Sequence, residues 1–156
     1  LVLGSDVPFF IQKGTALVHG RGEQLKYIPW HGQVVYVLVA PEFEVATGWA
    51  FANYKKALTG KGGYATFLNC VNPDEIYISE LLQHLENDFL PLILQTHPEV
   101  AQILSEFKKH GATSASLSGS GSTLYGVFED VKTANNAFSV FQDNGYRVFL
   151  CHPVLS

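Results

Sequence analysis

Short apolar runs separated by glycine turns open the chain. Phe9 to Gln12 and Thr15 to His19 flank Lys13-Gly14, a connection with the length and the glycine that a tight hairpin favours, and Gly20-Arg21-Gly22 supplies a second turn. This spacing predicts strands over 9–12 and 15–19, with a third returning over 23–28. Val34 to Val39 is a β-branched run ended by Pro41, the pattern of a buried strand.

The period then changes. From Thr47, whose hydroxyl suits a helix cap, Trp49, Ala50, Tyr54 and Leu58 recur near helical spacing until Gly60 and Gly62-Gly63 end the pattern. Asn72-Pro73-Asp74-Glu75 combines a capping side chain, a first-turn proline and a carboxylate, and it predicts a helix ahead of Ile76, Leu81, Leu82 and Leu85. Another helix is expected from Pro98 and Glu99, with Val100, Ile103, Leu104 and Phe107 inward. Lys108, Lys109 and His110 suit its negative end before Gly111.

The last third alternates strand 114–117, a glycine-serine loop, strand 124–128, a helix over about 132–142 and strand 146–150. Counted from Val34, the order is β, several helices, β, β, α, β. It predicts an α+β fold, a ferredoxin-like two-layer sandwich over 33–156, with helices on one face of an antiparallel sheet. The opening strands, 1–32, then form the end of a preceding domain, with a boundary near Pro29 to Gln33.

Composition narrows the functional classes. Of the 156 residues 47% are hydrophobic and 15% charged, enough to bury the core of an ordinary domain. Apolar runs such as Val34 to Ala40 fall far short of the ~20 residues that cross a bilayer, so a membrane is not an expected partner. The net charge of -4 and the scattered 10 Lys and Arg argue against nucleic acid. Cys70 and Cys151 are read as reduced thiols of a cytoplasmic protein, and the singly placed histidines lack the spacing of a metal site. With no methionine at its start, the chain reads as a piece of a longer protein.

Two segments carry candidate chemistry. Ser118-Gly119-Ser120-Gly121-Ser122-Thr123 offers close backbone approach, N–H groups and hydroxyls that can wrap an anion such as phosphate, or else it is a flexible hairpin. It has no P-loop lysine. The strand-like Leu124 to Phe128 that follows does not fit a dinucleotide fingerprint, which needs a helix there. Asp6, set between Gly4-Ser5 and Val7-Pro8, is either a turn aspartate or a carboxylate placed to accept a proton from an alcohol.

Read in order, several segments resemble the GHMP kinases. They are Leu3-Gly4-Ser5-Asp6-Val7-Pro8-Phe9-Phe10, Gly14-Thr15-Ala16-Leu17, Gly20-Arg21-Gly22-Glu23, Asn87-Asp88-Phe89, and Ser116-Leu117 with the loop to Thr123. The serine-glycine loop is similar to a motif of the whole superfamily. The Asp-Val-Pro-Phe-Phe segment and the Gly-x-Gly-Glu turn resemble more narrowly its diphosphocytidyl-methylerythritol kinases. Ser5 stands where alanine is expected and Leu117 where methionine is frequent, and neither change removes a chemical group.

The resemblance implies transfer of the γ-phosphate of ATP, with Mg²⁺, to a hydroxyl of 4-diphosphocytidyl-2-C-methyl-D-erythritol, a step of non-mevalonate isoprenoid precursor synthesis. Asp6 matches the catalytic aspartate, Ser118 to Thr123 the phosphate-side loop, and Thr47 and Phe51 residues near the cytosine. Phe51 then stacks on the base, or else it is helix-face core. The family's glycine-rich ATP loop and its lysine have no counterpart in the chain, which implies a missing N-terminal part as partner and an inactive isolated piece. The alternatives are another GHMP kinase, for homoserine, mevalonate or a sugar, and a non-catalytic ferredoxin-like ligand-binding domain.

Overall fold

A computed structural model of the chain describes residues 7–11, 14–20, 22–57, 76–77, 82 and 85–154. Its elements in chain order are α1 (Val7–Ile11), β1 (Thr15–His19), β2 (Gln24–Ile28), β3 (Trp30–His31), β4 (Val35–Ala40), α2 (Thr47–Ala57), β5 (Ile76–Tyr77), α3 (Leu90–Thr96), α4 (Glu99–Lys109), β6 (Ser114–Leu117), β7 (Leu124–Phe128), α5 (Val131–Asp143) and β8 (Arg147–Cys151). They fall into two units. One comprises Leu1–Gln33, Gly63–His84 and Pro153–Ser156, the other Val34–Gly62 and Leu85–His152.

In the first unit β1 and β2 form an antiparallel hairpin running from Thr15↔Ile28 to His19↔Gln24. The turn residues Gly20 and Gly22 adopt left-handed φ of 69° and 108°, a region that glycine enters without the Cβ clash other residues meet. The strand expected over 9–12 is not formed at its described residues 9–11, and Gln12 lies outside the described residues. Val7–Ile11 is helical instead, because Pro8 stands in the first turn, where its fixed φ suits a helix and its missing N–H leaves no bond unmade. The helix expected over Ile76, Leu81, Leu82 and Leu85 is corrected at Ile76 and Leu85, which are not helical, whereas Leu82 is. Ile76 and Tyr77 pair in parallel with Trp30 and His31, and the Tyr77 ring stacks on His31 at 5.5 Å. The β-branched and aromatic pair gains more from a strand partner than from its weak helix propensity. The capping segment 72–75 and Leu81 lie outside the described residues.

The second unit is a two-layer α+β structure. Its sheet has the order β6-β7-β4-β8, and every neighbouring pair is antiparallel. Alternation dictates the layers, since Val35, Val37 and Val39 are buried while Tyr36, Leu38 and Ala40 on the opposite face are half-buried. Against the valine face pack Ile93 of α3, Val100, Ile103 and Phe107 of α4, and Ala134, Ala137 and Phe141 of α5. Phe107 is the hub, 4.5 Å from the Phe141 ring centroid and 6.5 Å from that of Phe128. Gly126 leaves room for it, because a Cβ there would collide with the Phe107 ring.

Helix ends follow from local chemistry. Asp130 caps α5 by accepting from Thr133 N at 2.8 Å and from the Thr133 hydroxyl at 2.8 Å. The Thr133 backbone N–H is the chief reason its carboxyl is held below the usual range. In the last turn of α4, Lys109 and His110 lie 3.1 and 3.2 Å from Glu106, and the Lys109 hydrogen bond above all lowers that carboxyl. Among the described residues no helix is long and apolar enough to cross a membrane.

Candidate functional site

The glycine-serine segment is the connection between β6 and β7, whose last cross-strand pair is Leu117↔Leu124. Ser118 N donates to Thr123 O at 2.8 Å, and Gly121 N donates to Ser118 O at 3.0 Å. Gly121 has φ of +91°, and a Cβ there would stand 3.1 Å from Leu117 Cδ1, so the loop needs glycine at this position. Among the described residues the N–H groups of Gly119, Ser120 and Ser122 meet no backbone acceptor. These amides and the hydroxyls of Ser118, Ser120, Ser122 and Thr123 make the loop rich in donors, the chemistry that holds anions.

Helix α2 meets this loop at its first residue. Thr47 Oγ1 lies 3.2 Å from Ser120 Oγ, so its hydroxyl faces the loop rather than serving only as a cap. Phe51, one turn on, shares that side of the helix. It is 54% exposed, and its ring leans edge-on against Phe89 with centroids 5.0 Å apart. Tyr54 packs on Phe89 as well, at 5.1 Å. Phe51 is therefore a surface aromatic with a supported edge and open area, not an interior core residue.

The residue that ties these parts together is Asn87. Its side-chain amide donates to Leu117 O at 2.7 Å and to Gly119 O at 2.9 Å, and its Oδ1 accepts from Phe89 N at 2.8 Å. Its own carbonyl accepts from Leu90 N at 3.0 Å, which starts α3. Sequence reasoning marks Asn87-Asp88-Phe89 as a landmark and gives it no role. A capping-type asparagine just ahead of Leu90-Pro91 was the available signal.

Thr47, Phe51 and 118–123 are thus brought together within the second unit, whereas Asp6 lies outside the described residues. Among the described residues no group of three or more His, Cys, Asp or Glu is placed to hold a metal ion. Cys151 is a free thiol, and Cys70 is outside the described residues.

Comparison with known proteins bears on this arrangement. Residues 70–147 match the family described as GHMP kinases C terminal. Over 162 residues the chain is 35% identical to 4-diphosphocytidyl-2-C-methyl-D-erythritol kinase of Chlorobium phaeobacteroides (strain DSM 266), a match covering 99% of this chain and 52% of that protein. It is 36% identical over 135 residues to the kinase of the same name from Pelobacter propionicus, covering 86% of this chain and 46% of the relative. The chain thus spans about half the length of the curated relatives it matches. The fold is similar to the crystal structure of a 4-(cytidine 5'-diphospho)-2C-methyl-D-erythritol kinase, with a TM-score of 0.72 and 22% identity over 97% of this chain and 54% of that one. It is also similar to homoserine kinase from Cytophaga hutchinsonii, with a TM-score of 0.64 and 15% identity over 92% and 49% of the two chains.

Proposed function

The chain belongs to the GHMP kinase family, and from that premise we propose that it forms the C-terminal part of a kinase that phosphorylates a hydroxyl of 4-diphosphocytidyl-2-C-methyl-D-erythritol with ATP. In this reading 1–32 are the end of the N-terminal, ATP-binding domain and 33–156 the substrate-side domain. The observation that carries it is the junction of the donor-rich 118–123 loop with a helix that presents Thr47 to the loop and an exposed Phe51 one turn away. Such a junction suits a ligand with phosphates at one end and a flat base at the other.

Phosphoryl transfer asks a protein mainly to position its reactants and to stabilise charge. The amides of Gly119, Ser120 and Ser122 and the hydroxyls of Ser118, Ser122 and Thr123 fit the phosphate oxygens of ATP or of the diphosphate. Asp6 accepts the substrate hydroxyl's proton or orients that hydroxyl, and Phe51 stacks on the cytosine beside Thr47. Mg²⁺ would accompany the nucleotide and supply charge neutralisation on the phosphates. The proposed compartment is the cytoplasm.

The test is an ADP-release assay of the complete kinase with Mg-ATP and, in turn, CDP-methylerythritol, homoserine and mevalonate. Turnover is expected with the first alone, and Asp6→Asn should lower it by ~10²- to 10⁴-fold with ATP affinity nearly unchanged. Turnover confined to another alcohol, or binding with no turnover at all, would sink the proposal.

A further inference from the structure

An anion-binding loop has to turn its carbonyl oxygens away as well as its N–H groups toward the ligand, because a carbonyl dipole beside a phosphate repels it. In the 118–123 segment two carbonyls are taken up by the loop itself: Ser118 O accepts Gly121 N and Thr123 O accepts Ser118 N. A third, Gly119 O, is held by Nδ2 of Asn87, which also holds Leu117 O at the end of β6, where the loop begins. Resting on the proposed function, we infer that Asn87 is a positioning residue for phosphoryl transfer, tying back the Gly119 carbonyl and anchoring the loop at Leu117 so that the unengaged amides are held in place for a phosphate.

The side-chain chemistry requires asparagine. Nδ2 faces two oxygens and Oδ1 faces the Phe89 N–H, so the flipped amide would set like against like at all three contacts. An aspartate keeps an acceptor for Phe89 and loses both donors, placing its charge against the Leu117 and Gly119 carbonyls. The two arms are therefore separable. The Oδ1 arm orders Phe89, on which Phe51 and Tyr54 rest. The Nδ2 arm orders the loop.

The experiment uses the complete kinase with Asn87→Asp, which cuts only the loop arm, and Asn87→Ala, which cuts both. The Asp variant should lower kcat by roughly 10- to 100-fold, the scale of a misplaced reacting group, while its KM for CDP-methylerythritol stays within about threefold of wild type. The Ala variant should lower kcat and raise that KM as well. A second readout needs no acceptor alcohol: ATP should slow hydrogen exchange of the 118–123 amides in wild type and not in the Asp variant. If wild type shows the ATP effect yet does not phosphorylate CDP-methylerythritol, the proposed substrate is wrong and the role of Asn87 stands. The inference is overturned if wild type shows no ATP effect on the loop, if the Asp variant shows the full effect, or if that variant loses only thermal stability with kcat per folded molecule unchanged.

Discussion

Phe51 illustrates how one residue's environment decides its role. An aromatic at helical spacing fits an apolar core face as well as a ligand platform, and the sequence left both open. With half its surface exposed and an edge braced on Phe89, it contributes little to the core and has area free to stack. Under the proposed function, Phe51→Ala in the complete kinase should therefore weaken binding of the proposed cytidylyl substrate by about 1 to 3 kcal/mol, with the melting temperature nearly unchanged. A large fall in melting temperature with an unaltered KM would return Phe51 to a packing role. Gly126 is the opposite case, since its composition says only that a strand contains a glycine. The neighbouring Phe107 ring, from a distant helix, supplies the reason.

At the scale of elements, longer helices and strands were legible and short segments were not, even behind a start signal as strong as Asn72-Pro73. Glu99–Lys109 follows its apolar period and its terminal cations, and the 114–117, 124–128 and 147–151 strands lie where alternation and turns put them. The failures are brief. Val7–Ile11 and Ile76–Tyr77 are too short for periodicity to decide, and the first turns on one proline while the second turns on a strand partner far along the chain. Helix α5 offers a direct check on an end signal. The Asp130 carboxyl is held below its usual range in the folded state, so its contribution is present above the unfolded value and is lost as pH falls through the lowered folded value. Asp130→Ala should thus lower the melting temperature at neutral pH. Its difference from wild type should close as the pH drops below about 4, while Asp130→Asn, which still caps without titrating, should lie nearer wild type at neutral pH. A gap between wild type and Ala that is independent of pH would show that the charge plays no part.

Across the molecule, the sheet order sets where stability is greatest. Strands β4 and β7 are each paired on both sides and carry fully buried Val37, Val39, Leu124 and Val127. Their amides should exchange most slowly in the second unit, ahead of the edge strands β6 and β8. Faster exchange in β4 than in β8 would contradict this order. The proposed division of labour has its own consequence: residues 1–156 by themselves should bind Mg-ATP weakly and turn over no substrate, because the 118–123 amides alone meet the phosphates. Micromolar binding by isothermal titration would refute that.

Sequence alone determined the parts of this protein that depend on neighbours along the chain. Alternation specified the valine strand of β4, apolar period and end charges specified α4, and glycines between serines specified a loop able to approach an anion. The ordered motifs also carried the family resemblance. Tertiary structure decided what depends on residues far apart. Thr47 meets Ser120 across 73 positions, and Asn87 reaches Leu117 and Gly119 across 30 and 32. No local signal encodes such contacts. A hydroxyl or amide seeks whichever partner the packed core brings within hydrogen-bonding distance, and that distance is fixed only once the helices have closed on the sheet.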